Sequence, residues 1–377
     1  MLRKKLAVLF AAAMVAATVA GCGGGDAQTA APAADTAPAA DTAAPAADTA
    51  APAETAPAAD AAPAADTAAD TTADGGVISV GYAQVGHESD WRTANTQNYQ
   101  NTFTAENGYE LQLVDCDNDN AAQLEAVRNF IGQELDYIVI APIETAGWDT
   151  VLQEAQDAGI PVIIADREID ADASMYDAWV GTNTKNEGIT AGNWLAEYLG
   201  GKEANILVIE GTVGASATLG RAEGFNEVAA SHSEWKILDS QSGDFTQAGG
   251  QEVMESFIKS YEGQFNVVVC HNDNEAYGAM DAMDAAGITY GVDGDVILIS
   301  FDATHDGLQY TLDGKINCNV ECNPIQADVV ASVIQAMHSG SAYEATTLVN
   351  DEAFVAPGIT SQYATTMTDE VLAGRAY

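Results

Sequence analysis

I-P-V-I-I-A-D-R, from Ile160 to Arg167, is a nearly continuous apolar run that stops abruptly on a carboxylate and a guanidinium. It lacks period-two alternation, so it predicts a parallel strand buried on both faces. In open α/β sheets, ligands bind outside the carboxyl ends of such strands. Asp166 and Arg167 are therefore placed at the lip of a crevice, one as acceptor and the other as a five-donor fork. A surface ion pair or a helix cap would account for the two residues equally well if the pattern stood alone. It recurs along the chain.

Upstream lie V-I-S-V-G-Y-A (77–83), E-L-Q-L-V-D (110–115) and D-Y-I-V-I-A-P (136–142). Downstream, after 178–181, come N-I-L-V-I-E (205–210), W-K-I-L-D (235–239), N-V-V-V-C (266–270) and V-I-L-I-S-F-D (296–302). Helix-period segments separate these runs, several closed by a glycine: Gly108, Gly159, Gly200, Gly287 and Gly340. Such β-α alternation predicts parallel sheets with right-handed crossovers. The 301 residues from Val77 to Tyr377 predict two doubly wound lobes rather than one sheet.

Polar groups cluster after these strands in both halves. Q-V-G-H-E-S-D-W-R (84–92) follows the first, G-T-V-G-A-S (211–216) and Arg221 follow 205–210, and S-Q-S-G-D-F-T (240–246) follows the next. His271-Asn272-Asp273 and Asp302 close the last two. Five arginines follow the amino-terminal basic cluster, and Arg92, Arg167 and Arg221 fall in these loops. Planar Arg, Asp and Asn groups match vicinal hydroxyls, while Trp91 and Phe245 offer apolar faces to a C–H-rich ring. That is sugar recognition in physical terms. A core aromatic is the alternative for Trp91, and His271 reads as a packed strand-end residue rather than a ligand.

Catalytic readings lack parts. G-x-G-x-x-G does not follow the first strand, and no G-x-x-x-x-G-K-[ST], G-x-S-x-G or H-E-x-x-H occurs. Asp115, Asp117 and Asp119 imitate the start of a calcium loop, but Asn120 stands where Gly is needed and Ala126 where Glu is needed. Solvated carboxylates and the start of a helix explain them better. The expectation is no enzyme, no metal and no cofactor.

The amino terminus predicts location. Arg3, Lys4 and Lys5 precede an apolar run too short to span a bilayer comfortably, and V-A-G-C at 19–22 has the form of a lipobox. Residues 1–21 thus read as a lipoprotein signal peptide, with Cys22 acylated. An ordinary secretory peptide cut near Ala20 is the alternative. Up to Gly76 the chain repeats A-P-A-A-D-T with no aromatic residue and no Val, Ile or Leu after Asp26, which predicts a disordered tether. Its roughly fifty residues could reach on the order of 150 Å if polyproline-like.

The remainder holds 47 acidic against ten basic side chains, a net charge of −37. Nucleic acid and anionic headgroups would be repelled. Cys116, Cys270, Cys318 and Cys322 show no C-x-x-C spacing. Cys318 and Cys322 sit in an extended stretch, where four residues span about 13 Å, beyond the ~7 Å a disulfide tolerates. Free buried thiols are expected, with a distant pairing the alternative.

Six segments carry a family resemblance: G-Y-A-Q-V-G-H-E-S-D-W-R (81–92), A-P-I-E-T-A-G-W-D-T-V-L-Q-E-A (141–155), G-T-V-G-A-S, S-Q-S-G-D-F-T, E-V-M-E-S-F-I-K (252–259) and H-N-D (271–273). In this order they resemble the ribose-type periplasmic sugar-binding family, in particular the galactofuranose receptors of bacterial ABC importers. The resemblance spans 77–377 and implies two Rossmann-like lobes, the type I periplasmic binding protein fold, joined by a hinge of three crossovers near Asn183, Glu321 and Asn350. The lobes would be 77–183 with 322–349, and 184–321 with 350–377.

Carried over by residue, the family's sugar contacts fall on Trp91, Asp166, Arg167, Arg221, Asn272, Asp302 and Glu321, with Ser89, Arg92 and Asp244 added from the flanking loops. Ala303 departs from the pattern, since relatives carry Gly after this Asp. The resemblance implies a monomeric, extracytoplasmic receptor that closes on a monosaccharide and delivers it to ABC permease subunits, held to the membrane by its lipid alone. A sugar sensor for chemotaxis or a sensor kinase keeps the same fold, and a glycosidase is the enzymatic alternative. The acidic tether, where a DNA-binding module would sit, disfavours a repressor.

Overall fold

The computed structural model describes residues 76–377; the lipobox, Cys22 and most of the Ala/Pro/Thr/Asp tether lie outside the described residues. The first lobe runs β1 (Ile78–Gln84), α1 (Asp90–Thr102), β2 (Tyr109–Asp115), α2 (Asn120–Gly132), β3 (Tyr137–Ile140), α3 (Asp149–Ala158), β4 (Val162–Asp166) and β5 (Ala178–Gly181). The second runs α4 (Thr184–Leu199), β6 (Ala204–Glu210), α5 (Ser216–Ala229), β7 (Trp235–Ser242), α6 (Gln247–Tyr261), β8 (Val267–Cys270), α7 (Asp273–Ala286), β9 (Ile297–Asp302), α8 (His305–Leu312) and β10 (Cys318–Glu321). The chain then returns through α9 (Ala327–His338), β11 (Thr346–Leu348), β12 (Ala353–Val355), β13 (Thr365–Thr366) and α10 (Asp369–Ala373).

The strands make two sheets, ordered β11-β5-β4-β3-β1-β2 and β13-β12-β10-β9-β8-β6-β7. The chain passes between them after β5, after β10 and after β11. All five residues of β4 are buried, because helices cover both faces of a parallel sheet. Burying side chains such as Ile163 and Ile164 is worth about 1.5–3 kcal/mol each, and both are fully enclosed. One departure from all-parallel pairing is β12, which runs antiparallel to β10. Strands β11 to β13 have two or three residues each, too short to show a hydrophobic period, and only the neighbouring edge specifies them.

Local signals behave as their chemistry dictates. Asp119 caps α2 by accepting from the Ala121 and Ala122 amides, so this carboxylate belongs to a helix start. Gly159, Gly200 and Gly287 end helices in the left-handed conformation. The four described cysteines are all free and buried. In the second lobe α4 and α5 cross at backbone contact: a Cβ on Gly188 would lie 2.3 Å from the Arg221 carbonyl oxygen, and one on Gly224 would lie 2.0 Å from that of Lys185. This close crossing brings Arg221 against Glu187.

Candidate functional site

The carboxyl ends of both sheets converge on one cavity, with Glu88, Ser89, Trp91, Arg92, Asp166 and Arg167 on one wall. Ala217, Arg221, Phe245, Asn272 and Asp302 form the other, with Cys322 at the hinge. A wider groove runs beside the hinge past Trp179 and Leu348. Its acids Glu168 and Asp170 are solvent-exposed and its Lys185 pairs with Glu223 at 2.7 Å. The smaller cavity is where buried polar groups from both lobes meet, and that identifies the candidate site.

On the first wall, α1 begins at the Ser89 cap, whose Oγ accepts from the Arg92 amide at 3.1 Å. The next turn buries Trp91 and Arg92. Arg92 Nη2 donates to Asp166 Oδ2 at 2.7 Å and its Nε to Glu88 Oε1 at 3.1 Å. Arg167 is held more loosely, donating to the same Glu88 oxygen at 3.3 Å and to the Ile143 carbonyl at 3.4 Å. Burial, then the neighbouring Arg92, pull the Arg167 guanidinium below its ordinary value. Burial alone would do the same to Arg92, but Asp166 and Glu88 outweigh it and raise it instead. Asp166 ends its strand at φ +65°, a left-handed conformation uncommon away from glycine and found at functional strand ends.

On the second wall every nitrogen of Arg221 has an acceptor. Arg221 donates from Nε to Glu187 at 2.7 Å, from Nη2 to Asp302 at 3.1 Å and from Nη1 to the His271 carbonyl. Asn272 caps α7 by accepting from the Glu275 amide at 2.8 Å, and donates to the Phe245 carbonyl at 2.8 Å. Phe245 lies 5.1 Å from the Arg167 guanidinium, and Gly211 makes room for it: a Cβ there would meet the ring at 2.0 Å. Burial lifts the Asp302 carboxyl to about 8 and, with Arg221, drops the His271 imidazole to about 3. Asp302 and Ala303 sit at φ +94° and +52°. Ala303 thus occupies a conformation natural to glycine, at a cost of about 1–2 kcal/mol, with its methyl packed beside Leu308 and Phe354. Asp302 still reaches the cavity.

The lobes are shut. The Asp90 amide donates to Asn274 Oδ1 at 2.9 Å and Asn274 Nδ2 returns a bond to Asp90 Oδ2 at 3.2 Å. At the other rim the Glu168 amide donates to Ser216 Oγ at 2.8 Å, and the Thr145 amide to the Gly214 carbonyl at 3.0 Å.

Eight of the ten expected contact residues thus line one cavity: Ser89, Trp91, Arg92, Asp166, Arg167, Arg221, Asn272 and Asp302. Two do not line it. Asp244 is exposed and accepts from the Ser242 hydroxyl at 3.1 Å. Glu321 is buried at the hinge, where it accepts from Arg375, Tyr377 and, at 2.8 Å, the Glu352 amide. Its carboxylate is spent on the carboxyl-terminal segment. Trp91 donates its indole N–H to the Cys322 carbonyl, tying α1 to the hinge. Glu88 escaped the sequence reading although it lies in the 84–92 loop, because one of 47 acids carries no distinguishing signal. Asp273, which the sequence places beside Asn272, does not line the cavity: it braces β9 and β10 by accepting from Ser300, Thr304 and Asn319.

Known proteins resemble this chain in sequence and in fold. Residues 80–341 match the model of the periplasmic binding protein domain. Galactofuranose-binding protein YtfQ of Escherichia coli (strain K12) is 41% identical over 253 residues, 66% of this chain and 79% of that protein. A Mycobacterium smegmatis protein solved in complex with β-D-fucofuranose is 40% identical with a TM-score of 0.71, covering 74% of this chain and 91% of that one. The binding component of the arabinose ABC transporter from Shewanella sp. ANA-3, bound to α- and β-L-arabinofuranose, is 37% identical with a TM-score of 0.71, over 74% and 92% of the two chains.

Proposed function

The chain belongs to the periplasmic binding protein domain family, and from that premise we propose that it captures a neutral furanose between its lobes and delivers it to an ABC permease. The observation that carries the reading is the single cavity into which both sheets project planar donors and acceptors, with Trp91 and Phe245 beside them. Galactofuranose is the first choice, with arabinofuranose and ribose behind it, and the relatives above hold furanoses. The lobes 77–183 with 322–349, and 184–321 with 350–377, would part about the crossovers near Asn183, Glu321 and Asn350 to admit the sugar.

Competition calorimetry between locked methyl furanosides and methyl pyranosides tests the ring form. Furanosides are expected to bind and pyranosides to bind at least tenfold more weakly, because a mismatched hydroxyl strands buried polar groups at about 1–3 kcal/mol each. Tight binding of a pyranoside with no response to any furanoside would remove the furanose assignment.

Cys22 in V-A-G-C supports lipid anchoring on the outer face of the cell membrane. Cys22→Ala is expected to abolish labelling by a clickable fatty acid and to release the protein from membranes, since the tether has no apolar surface of its own. Labelling equal to wild type would exclude the lipobox.

A further inference from the structure

The loop that carries Phe245 to the cavity is held from behind. Between β7 and α6 the backbone takes two left-handed residues in succession, Asp244 at φ +56° and Phe245 at φ +60°. Residues with a Cβ disfavour that region, so the turn does not persist on local preference alone. The Phe245 ring lies 5.1 Å from the Arg167 guanidinium of the opposite wall. A small change in this backbone would therefore move the ring relative to anything bound between the walls.

Two side chains at the start of α7 clamp it. Asn272 Nδ2 donates to the Phe245 carbonyl at 2.8 Å, and Glu275 Oε1 accepts from the Phe245 amide at 2.9 Å. Asn272 is the N-cap and Glu275 the third helical residue, the spacing at which a glutamate ordinarily reaches back to the amide of its own cap residue. Asn272 keeps its half of that arrangement, accepting from the Glu275 amide at 2.8 Å. Glu275 instead takes the amide of a residue 30 positions upstream. The neighbouring backbone leaves room for it. A Cβ on Gly243 would lie 3.0 Å from Glu275 Oε1, and one on Gly250 would lie 2.5 Å from the Glu275 carbonyl oxygen.

Glu275 is fully buried and lines no part of the cavity. Its Oε2 has no partner among the described residues, and burial raises the carboxyl well above its ordinary value, so the neutral acid is favoured. A buried polar group with one unmet oxygen is costly. The helix start, already capped by Asn272, does not need it; the Phe245 amide does.

We infer that Glu275 is a positioning residue for sugar binding, fixing the Phe245 ring against the ligand without touching the ligand itself. The inference rests on the sugar-binding reading and deepens it. With the ring in place beforehand, no binding energy is spent on ordering the loop.

The test is a double-mutant cycle. Calorimetry with methyl β-D-galactofuranoside would compare wild type, Glu275→Leu, Phe245→Leu and the double variant; if a pyranoside proves to be the ligand, the cycle runs on that sugar. Glu275→Leu is expected to weaken binding about tenfold, as for a loop competent about one tenth of the time. Glu275→Gln keeps the acceptor and should stay within about twofold of wild type. Added to Phe245→Leu, Glu275→Leu should cost less than about twofold more, because no ring is left to position. Hydrogen exchange gives a reading without ligand: the Phe245 amide should lose protection in Glu275→Leu and keep it in Glu275→Gln. Wild-type affinity in Glu275→Leu, or an equal loss with and without the Phe245 ring, would overturn the assignment and leave the sugar reading standing. If thermal unfolding shows that Glu275→Leu does not fold, Glu275→Asp takes its place, since it withdraws the acceptor by one methylene and should lose affinity and protection in the same way. A wild type that binds no furanoside and no pyranoside would withdraw the sugar reading itself, and this inference with it.

Discussion

Replacing Arg221 with Met is expected to lower stability by about 3–5 kcal/mol, because it leaves the buried Glu187 carboxylate without its cation. Glu187 is 1% exposed and Asp302 5% exposed, so water cannot take over the role of the guanidinium. The His271 carbonyl also loses its donor. For a domain of this size the change corresponds to a fall in Tm of roughly 6–10 °C, and sugar binding is lost with it. Scanning calorimetry reads the effect. The double variant Arg221→Met with Glu187→Gln should recover part of it, since the stranded Glu187 charge is then gone.

The pH dependence gives a second readout. Burial places the Asp302 carboxyl at about 8 in the folded protein, against about 3.9 for an unfolded Asp. A raised carboxyl stabilises the folded state fully below the unfolded value, and that contribution fades as pH climbs through 8. Without Arg221 the carboxyl rises further, so the variant keeps losing stability above about pH 8 where wild type has levelled off. A Tm within 2 °C of wild type at pH 7 would show that Arg221 is dispensable to the lobe.

Arg167→Lys is expected to behave differently. Its two hydrogen bonds, at 3.3 and 3.4 Å, are the longest made by any cavity guanidinium, so the fold has little to lose. The planar fork, by contrast, is free to engage a ligand and stacks near Phe245. Lysine keeps a charge but offers no fork, and a charge-assisted bond is worth about 1.5–3 kcal/mol. Affinity should therefore fall about tenfold to a hundredfold while the unfolding midpoint stays put. Burial also depresses a lysine pKa, so the deficit should grow as pH rises. Titration of the folded variant at two pH values decides it, and wild-type affinity at both would move the ligand away from Arg167.

Much of this arrangement is legible before any coordinates. The apolar runs at 160–166 and 296–302 fix buried parallel strands because no amphipathic alternative accommodates them, and their terminal Asp166 and Asp302 must then leave the sheet at its carboxyl end. Arginines scarce enough to count stand out in an acidic chain, which is why Arg92, Arg167 and Arg221 could be assigned by position. The helix caps at Asp119 and Gly159 follow from local chemistry alone.

What the sequence by itself determined is therefore which strand ends and loops carry polar groups; what only the tertiary structure decided is whom each group meets. Arg221 finds Glu187 because α4 and α5 cross at glycines. Glu321 is consumed by Arg375 and Tyr377, which approach it only when the carboxyl-terminal segment folds back on the hinge. Glu88 comes to share one oxygen between Arg92 and Arg167 because the first and fourth strands end on either side of β3. Periodicity reports the direction in which a side chain leaves its own backbone. The partner it reaches depends on how elements tens of residues apart pack, and in a chain with this many carboxylates local sequence does not single out the one that is chosen.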